Sequence, residues 1–275
     1  MSVVLPSYNN ARFVAETVES VLAQTYDDFE LVIADHSSTD GTWDVLQRFR
    51  ADPRVRLLET PAGGGAERNW NRVTDEARGT YVKLVCGDDL IYPTCLEVQA
   101  AALEAHPSAG VTACARDLVD VSGGLLLAGR GMTGLEGLVP GREAIRRIVR
   151  AGTNLMGEPG CVLLRADLLR RIGGWTATYP YLIDQFSYLS ALQHADLVGD
   201  RRTLAAFRVS NTQWSVSLAT EQGKQAGQVH QYFHEVEPDA VSAWDERVGT
   251  LRAYRTAWAR RAAYVVWRKR MREAA

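Results

Sequence analysis

This sequence has no apolar stretch long enough to span a membrane, no Cys-x-x-Cys pair and no surplus of positive charge. Each absence removes a class of protein. A membrane-spanning helix needs about 20 consecutive apolar residues. The four cysteines (Cys86, Cys95, Cys114, Cys161) are scattered. They offer no zinc-type spacing and read as reduced, mainly buried thiols of a cytosolic protein. Lys and Arg number 31 against 33 Asp and Glu, whereas nucleic-acid binders concentrate basic charge. No basic segment followed by an apolar one opens the chain, so a secretory leader is not expected. The five histidines (His36, His106, His194, His230, His234) share no spacing that would build a metal cluster. No internal repeat is evident. The expectation is a cytoplasmic globular protein with no nucleic-acid partner.

What is present is an alternation of strand and helix patterns. Ser2-Val3-Val4-Leu5 reads as a strand stopped by Pro6, and 11–23 carries apolar residues at helical spacing after Asn9-Asn10. Strand 29–34, helix 42–50, strand 55–59, helix 66–77 and strand 81–86 follow, with a Gly63-Gly64-Gly65 loop between. Such alternation predicts an α/β fold, with a mostly parallel sheet flanked by helices. Further on, the pattern predicts helix 94–105, strand 110–115, a hairpin and loops over 117–141, and helix 142–150. A strand at 160–164, a helix closed by Gly173-Gly174, helix 181–194 and strand 203–209 complete that half. Residues 241–272 read as a strongly basic helix with interleaved Trp and Tyr.

Two adjacent carboxylates, Asp88 and Asp89, end the apolar run 81–87. A strand's charged end is costly to bury without a positive partner, and a divalent cation carrying a diphosphate would supply one. Ligands of open α/β sheets bind beyond the carboxyl ends of the strands. The Pro6-Ser7-Tyr8 loop, Asp35 and the aspartate pair all fall at such ends, so one crevice can hold them. A solvated turn is the plainer reading of the pair.

Taken in order, these segments closely resemble the family 2 inverting glycosyltransferases of the GT-A fold, over roughly residues 2–215. The carriers are Val3-Val4-Leu5-Pro6-Ser7-Tyr8-Asn9; the segment from Asp35 to Thr42; Ala66-Glu67-Arg68-Asn69 with Ala77-Arg78-Gly79-Thr80-Tyr81; Cys86-Gly87-Asp88-Asp89; and Gly173-Gly174-Trp175 with Asp184 beyond it. The resemblance implies a catalytic domain over 1–215, with a nucleotide-binding half (1–90) and an acceptor-binding half (91–215), and a C-terminal helical extension over 216–275. It implies transfer of a sugar from a nucleoside-diphosphate donor (UDP, GDP or dTDP) to a glycan, lipid-linked or protein hydroxyl, in synthesis of bacterial cell-surface polysaccharide, glycolipid or glycoconjugate.

The same resemblance distributes roles. Pro6, Ser7 and Tyr8 would line base and ribose. Asp35 would accept a hydrogen bond from one of them, or cap its own turn. Arg68 would neutralise phosphate or lock Asp35. Gly87 and Asp88 would meet the donor, with Asp88 holding Mn2+ or Mg2+ as a hard oxygen ligand. Asp89, Glu158 and Trp175 would face the acceptor, Trp175 as a platform or as core packing. Asp184 would be the general base, or a helix cap. Trp214 would close over the donor or pack in the core. Two departures from the family pattern stand out: Cys86 replaces its first acidic residue, and Ser210 stands where many relatives have a metal-binding histidine. The basic C-terminal helix can pack on the catalytic domain, form a homodimer or lie on the inner face of the plasma membrane as a peripheral contact. The competing functions are a sugar-phosphate nucleotidyltransferase, disfavoured because the loop after the first strand lacks a Gly-rich basic stretch, and a non-catalytic nucleotide-sugar or glycan-binding module.

Overall fold

A computed structural model describes residues 1–211 and 221–271. Strands β1 (Ser2–Ser7), β2 (Glu30–Asp35), β3 (Val55–Glu59) and β4 (Tyr81–Leu84) alternate with helices α1 (Val14–Leu22), α2 (Thr42–Gln47) and α3 (Gly65–Asp75). These four strands are parallel, in the order β3-β2-β1-β4. Val3, Val4, Leu5, Leu31, Val32 and Ile33 are wholly buried. That is why β1 and β2 read as continuous apolar runs rather than alternating ones: helices cover both faces.

Pro6 does not stop β1, which continues to Ser7 paired with Asp35. Val4 O accepts the Val85 N–H, so Val4 and Pro6 face β4 while Leu5 and Ser7 face β2. Pro6, which has no N–H to donate, falls where β4 has ended, and the missing donor is not needed there.

The second half is mixed. β5 (Leu90–Ile91) and α4 (Cys95–Ala105) lead to the long β6 (Ala109–Val119). β7 (Leu125–Arg130), β8 (Gly137–Val139) and α5 (Gly141–Ala151) precede β9 (Val162–Arg165) and α6 (Ala166–Arg171). Then come α7 (Ile183–Leu192) and β10 (Asp196–Arg208), which runs parallel to β6. β9 joins the halves antiparallel, between β4 and β6, completing a ten-stranded sheet ordered β3-β2-β1-β4-β9-β6-β10-β5. β7 is the expected hairpin strand on β6, whereas β8 pairs with β10.

Helices α8 (Gln222–Val236) and α9 (Ala243–Trp267) close the chain. α9 begins with a capping box: Ser242 Oγ accepts from the Asp245 N–H, and the Ser242 N–H donates to Asp245 Oδ2. Its buried stripe is Asp245, Gly249, Ala253 and Ala257, small residues four apart that let α9 lie close on α5. Arg146 and Arg150 of α5 pair with Asp245 at 3.2 and 3.7 Å. A Cβ at Gly249 would stand 2.0 Å from Val149 O. Gly249→Ala is therefore expected to lower stability by about 1–3 kcal/mol, as overpacking does, read as a fall in Tm of several degrees; an unchanged Tm would show that α9 is not seated this closely.

Candidate active site

The β1 and β2 ends form an open shelf. Tyr8 is 60% exposed, with its ring edge-on to His36 at 5.9 Å. Beneath it, Asn10 Oδ1 accepts from the Tyr8 N–H and from Ser7 Oγ. A Cβ at Gly87 would meet that Asn10 oxygen at 2.8 Å and Ser7 Oγ at 3.1 Å, so only glycine lets the β4 end pass this close to β1. Asp35 is buried and caps its own turn: Oδ2 accepts from the Ser38 N–H at 2.9 Å, and Oδ1 from Ser38 Oγ at 2.5 Å. Asp40 ties the same loops together, accepting from the N–H groups of Ala11 and Thr42. Arg68 does not lock Asp35; its guanidinium is exposed and donates to the Ala62 and Gly63 carbonyls. Asn69 is structural, bridging Thr60, Ser7 and Ala34.

Beyond β4 the two aspartates separate in role. Asp89 is 2% exposed and accepts from the Arg208 N–H. Burial raises its pKa well above the usual carboxylate range, and the Asp88 charge adds to the shift. Arg208, itself buried, clamps the turn: Nε donates to Asp88 O, Nη2 to Glu16 Oε2, and the guanidinium stacks 4.7 Å from the Phe13 ring centroid. Asp88 is half-buried and lines a cavity of about 520 Å³ shared with Cys86, Asp89, Arg116, Glu158 and Asp184.

Glu158 and Asp184 differ as sharply. Arg116 grips Glu158 with contacts of 2.6 and 3.1 Å. Burial works to raise this carboxyl, but the Arg116 guanidinium outweighs it and Arg260 assists, so Glu158 is held below the usual carboxylate range. Among the described residues Asp184 has no guanidinium in contact. It sits in the first turn of α7 without a side-chain cap, and Asn154 Nδ2 donates to it at 3.2 Å. Burial pushes its pKa up to about 7; the Gln185 N–H opposes the shift and the Glu158 charge adds to it. An ionised pair and a carboxyl poised near neutrality thus share one chamber.

Trp175 is not a platform. It is 1% exposed, edge-on to Trp70 and Tyr188, with Nε1 donating to Thr74 Oγ1. The Gly-Gly-Trp segment shapes the core under the cavity, and Trp70 lines the cavity itself. Ser210 is buried; Trp214 lies outside the described residues. Sequence reasoning missed Arg208, Arg116 and Asn154, and it missed that α9 walls the cavity with Arg260, Tyr264 and Trp267. The buried Arg in Phe207-Arg208-Val209 of a strand was the available signal for the first.

Among the described residues no three His, Cys, Asp or Glu side chains converge as a ligand set. Burial pushes the Cys86 thiol well up, with Asp89 and Asp88 adding to it; a neutral thiol is a poor ligand for a hard ion. This donor set fits an ion arriving on a diphosphate and taking one protein carboxylate, Asp88.

Comparison with known proteins bears on the family and the fold. EpsE of Bacillus subtilis (strain 168) is 29% identical over 180 residues, 64% of this chain and 59% of its own length. The chain therefore spans little more than half of that relative. WfaP of Escherichia coli, a "UDP-Glc:alpha-D-GlcNAc-diphosphoundecaprenol beta-1,3-glucosyltransferase", is 35% identical over 89 residues, 32% of this chain and 35% of its own. Staphylococcus aureus TarS, solved with UDP-GlcNAc, superposes with a TM-score of 0.65 at 21% identity, covering 85% of this chain and 65% of that one. The mannosyltransferase PcManGT of Pyrobaculum calidifontis, solved with GDP-Man and Mn2+, gives 0.62 at 19% identity, covering 96% and 74%. The fold is that of these GT-A enzymes, and since the profile "Glycosyl transferase family 2" matches residues 2–173, the chain belongs to the family 2 glycosyltransferases.

Proposed function

We propose that this glycosyltransferase moves a sugar from a nucleoside-diphosphate donor to a hydroxyl acceptor with inversion, the Asp184 carboxylate taking the hydroxyl proton. The observation that carries this is the pairing of Asp184, with a pKa of about 7, and Asp88 in one cavity. Residues 1–90 would bind the donor, with Tyr8 under the base and Asp35 holding the loop that meets it; 91–215 would bind the acceptor, with Asp89 and Glu158 shaping its side; and 216–275 would close the chamber. Gly87 admits the diphosphate near Asp88, and exposed Arg68 can meet its charge. Bound Mn2+ or Mg2+ would stabilise the departing diphosphate as a Lewis acid. Asp184 is the better base than Glu158, whose carboxylate is occupied by Arg116. A poised Asp184 also favours an enzyme over a mere binding module. TarS is solved with UDP-GlcNAc and PcManGT with GDP-Man, so UDP and GDP are the first nucleotides to try, and dTDP belongs in the same trial.

The outer face of α9 supports a lipid-linked acceptor at an anionic membrane. Trp244, Leu251, Trp258 and Val265 recur every seventh residue, opposite the buried stripe, and are 64–74% exposed. Residues 243–275 carry nine Lys and Arg against three Asp and Glu, in a chain of net charge -2. Aromatic and basic side chains on one helix suit an anionic lipid surface, whereas two copies meeting on this face would oppose like charges. The acceptor named for WfaP is of this lipid-linked class, and polysaccharide or glycolipid synthesis at the inner face of the membrane follows.

Three measurements test the reading. Titration with UDP, GDP and dTDP, with and without Mn2+, should show metal-enhanced binding of one nucleotide that Asp88→Asn loses; no binding of any would sink it. Transfer should rise with pH through about 7, since Asp184 works only when ionised, and Asp184→Asn should keep donor affinity while losing about 100-fold or more in rate; a flat profile would remove Asp184 as base. Vesicles containing phosphatidylglycerol should float the wild type at low salt and release the Trp244→Ser/Trp258→Ser variant; equal flotation, or a dimer dissociated by the same variant, would move this face from lipid to another partner.

A further inference from the structure

The inner face of α9 carries a charge that the transfer reaction as described does not use. Arg260 reaches into the cavity, half-buried, with Nη1 donating to the Tyr181 hydroxyl and its guanidinium 6.0 Å from the centre of that ring. Among the described residues no carboxylate lies within ion-pair distance of it. Glu158 is the acid nearest in effect, and it is already ion-paired with Arg116, whose Nη2 donates to Oε1 and whose Nε lies 2.6 Å from Oε2. Two guanidiniums and one carboxylate therefore share this end of the cavity, an excess of one positive charge. Asp184, with a pKa of about 7, is only about half ionised at pH 7 and offsets only part of it. A cation removed from water without a counterion is costly, and a group held this way beside open space is suited to an incoming anion. Guanidinium is also the group best matched to phosphate oxygens.

We propose that Arg260 binds a phosphate-bearing group of the acceptor, a phosphate or diphosphate ester, and so sets which acceptors the enzyme takes. The inference rests on the transferase reading. The acceptor is favoured over the donor as the source because Arg260 stands at the Glu158 and Asp184 end, where the attacking hydroxyl would lie, and the nucleotide shelf of Tyr8 and Asp35 does not line this cavity. Tyr181 holds the guanidinium by its hydroxyl, and Tyr264 lines the same cavity. Burial pulls the Arg260 pKa down, but these neighbours and Glu158 raise it on balance, so the group stays charged.

The test uses the full chain in EDTA, so that no metal recruits phosphate to Asp88. Inorganic pyrophosphate is titrated by calorimetry into wild type, Arg260→Gln and Arg260→Lys, after thermal unfolding shows each folded. A charge-assisted hydrogen bond is worth about 1.5–3 kcal/mol, so Arg260→Gln should weaken pyrophosphate at least about tenfold. Arg260→Lys, which keeps the charge but loses the planar fork, should fall between wild type and Arg260→Gln. Nucleoside diphosphate binding with Mn2+ should be the same in Arg260→Gln as in wild type. Two results would overturn the assignment: pyrophosphate affinity that is absent from wild type or unchanged in Arg260→Gln, or a parallel loss of nucleotide binding, which would place Arg260 on the donor. Should Arg260→Gln fail to fold, Tyr181→Phe, which frees the guanidinium, must alter pyrophosphate affinity while nucleotide binding stays intact. Failure of the transferase reading would look different, as wild type binding no nucleotide.

Discussion

Four carboxylates, Asp88, Asp89, Glu158 and Asp184, line one cavity, and the cost of keeping that much negative charge out of water organises the rest of the site. The protein meets it in a different way for each. Asp89 is anchored by the Arg208 backbone inside a turn that the buried Arg208 side chain clamps. Glu158 is neutralised by Arg116. Among the described residues Asp184 has no such partner in contact, and its proton is held until about pH 7. Asp88 faces the chamber. Different neutralisation produces different chemistry, a recurrent way for one fold to assign acid, base and ligand roles.

The parallel half was legible because its physics is local. β1 and β2 are buried on both faces and so are apolar throughout, and turn residues separate them from helices of regular period. Asp35 and Asp88 could be placed at strand ends for the same reason. The Pro6 boundary was misread because a proline's cost depends on what its N–H would have met, and that lies on β4, some eighty residues away.

The acceptor half was less legible. β10 runs from Asp196, well before the predicted 203, since its first residues pair with β6 and β8 rather than showing a pattern of their own. Trp175 carried a motif, and a motif does not say whether an indole faces solvent or Trp70. Arg116, Arg208 and Arg260 look like surface arginines in a chain rich in them. Only long-range packing, 42 residues from Arg116 to Glu158 and 79 from Tyr181 to Arg260, turns them into parts of the site. The basic helix was expected to pack, dimerise or meet lipid. It packs on α5 through small residues, which leaves its opposite apolar face exposed.

A crystal structure with an intact donor analogue and Mn2+, located by anomalous scattering, tests the central claim most directly. The division of charge described above predicts one metal peak between Asp88 and the diphosphate, with the sugar's anomeric carbon turned toward Asp184 and Glu158 still held by Arg116. A peak away from Asp88, or a sugar whose anomeric carbon faces away from Asp184, would contradict it.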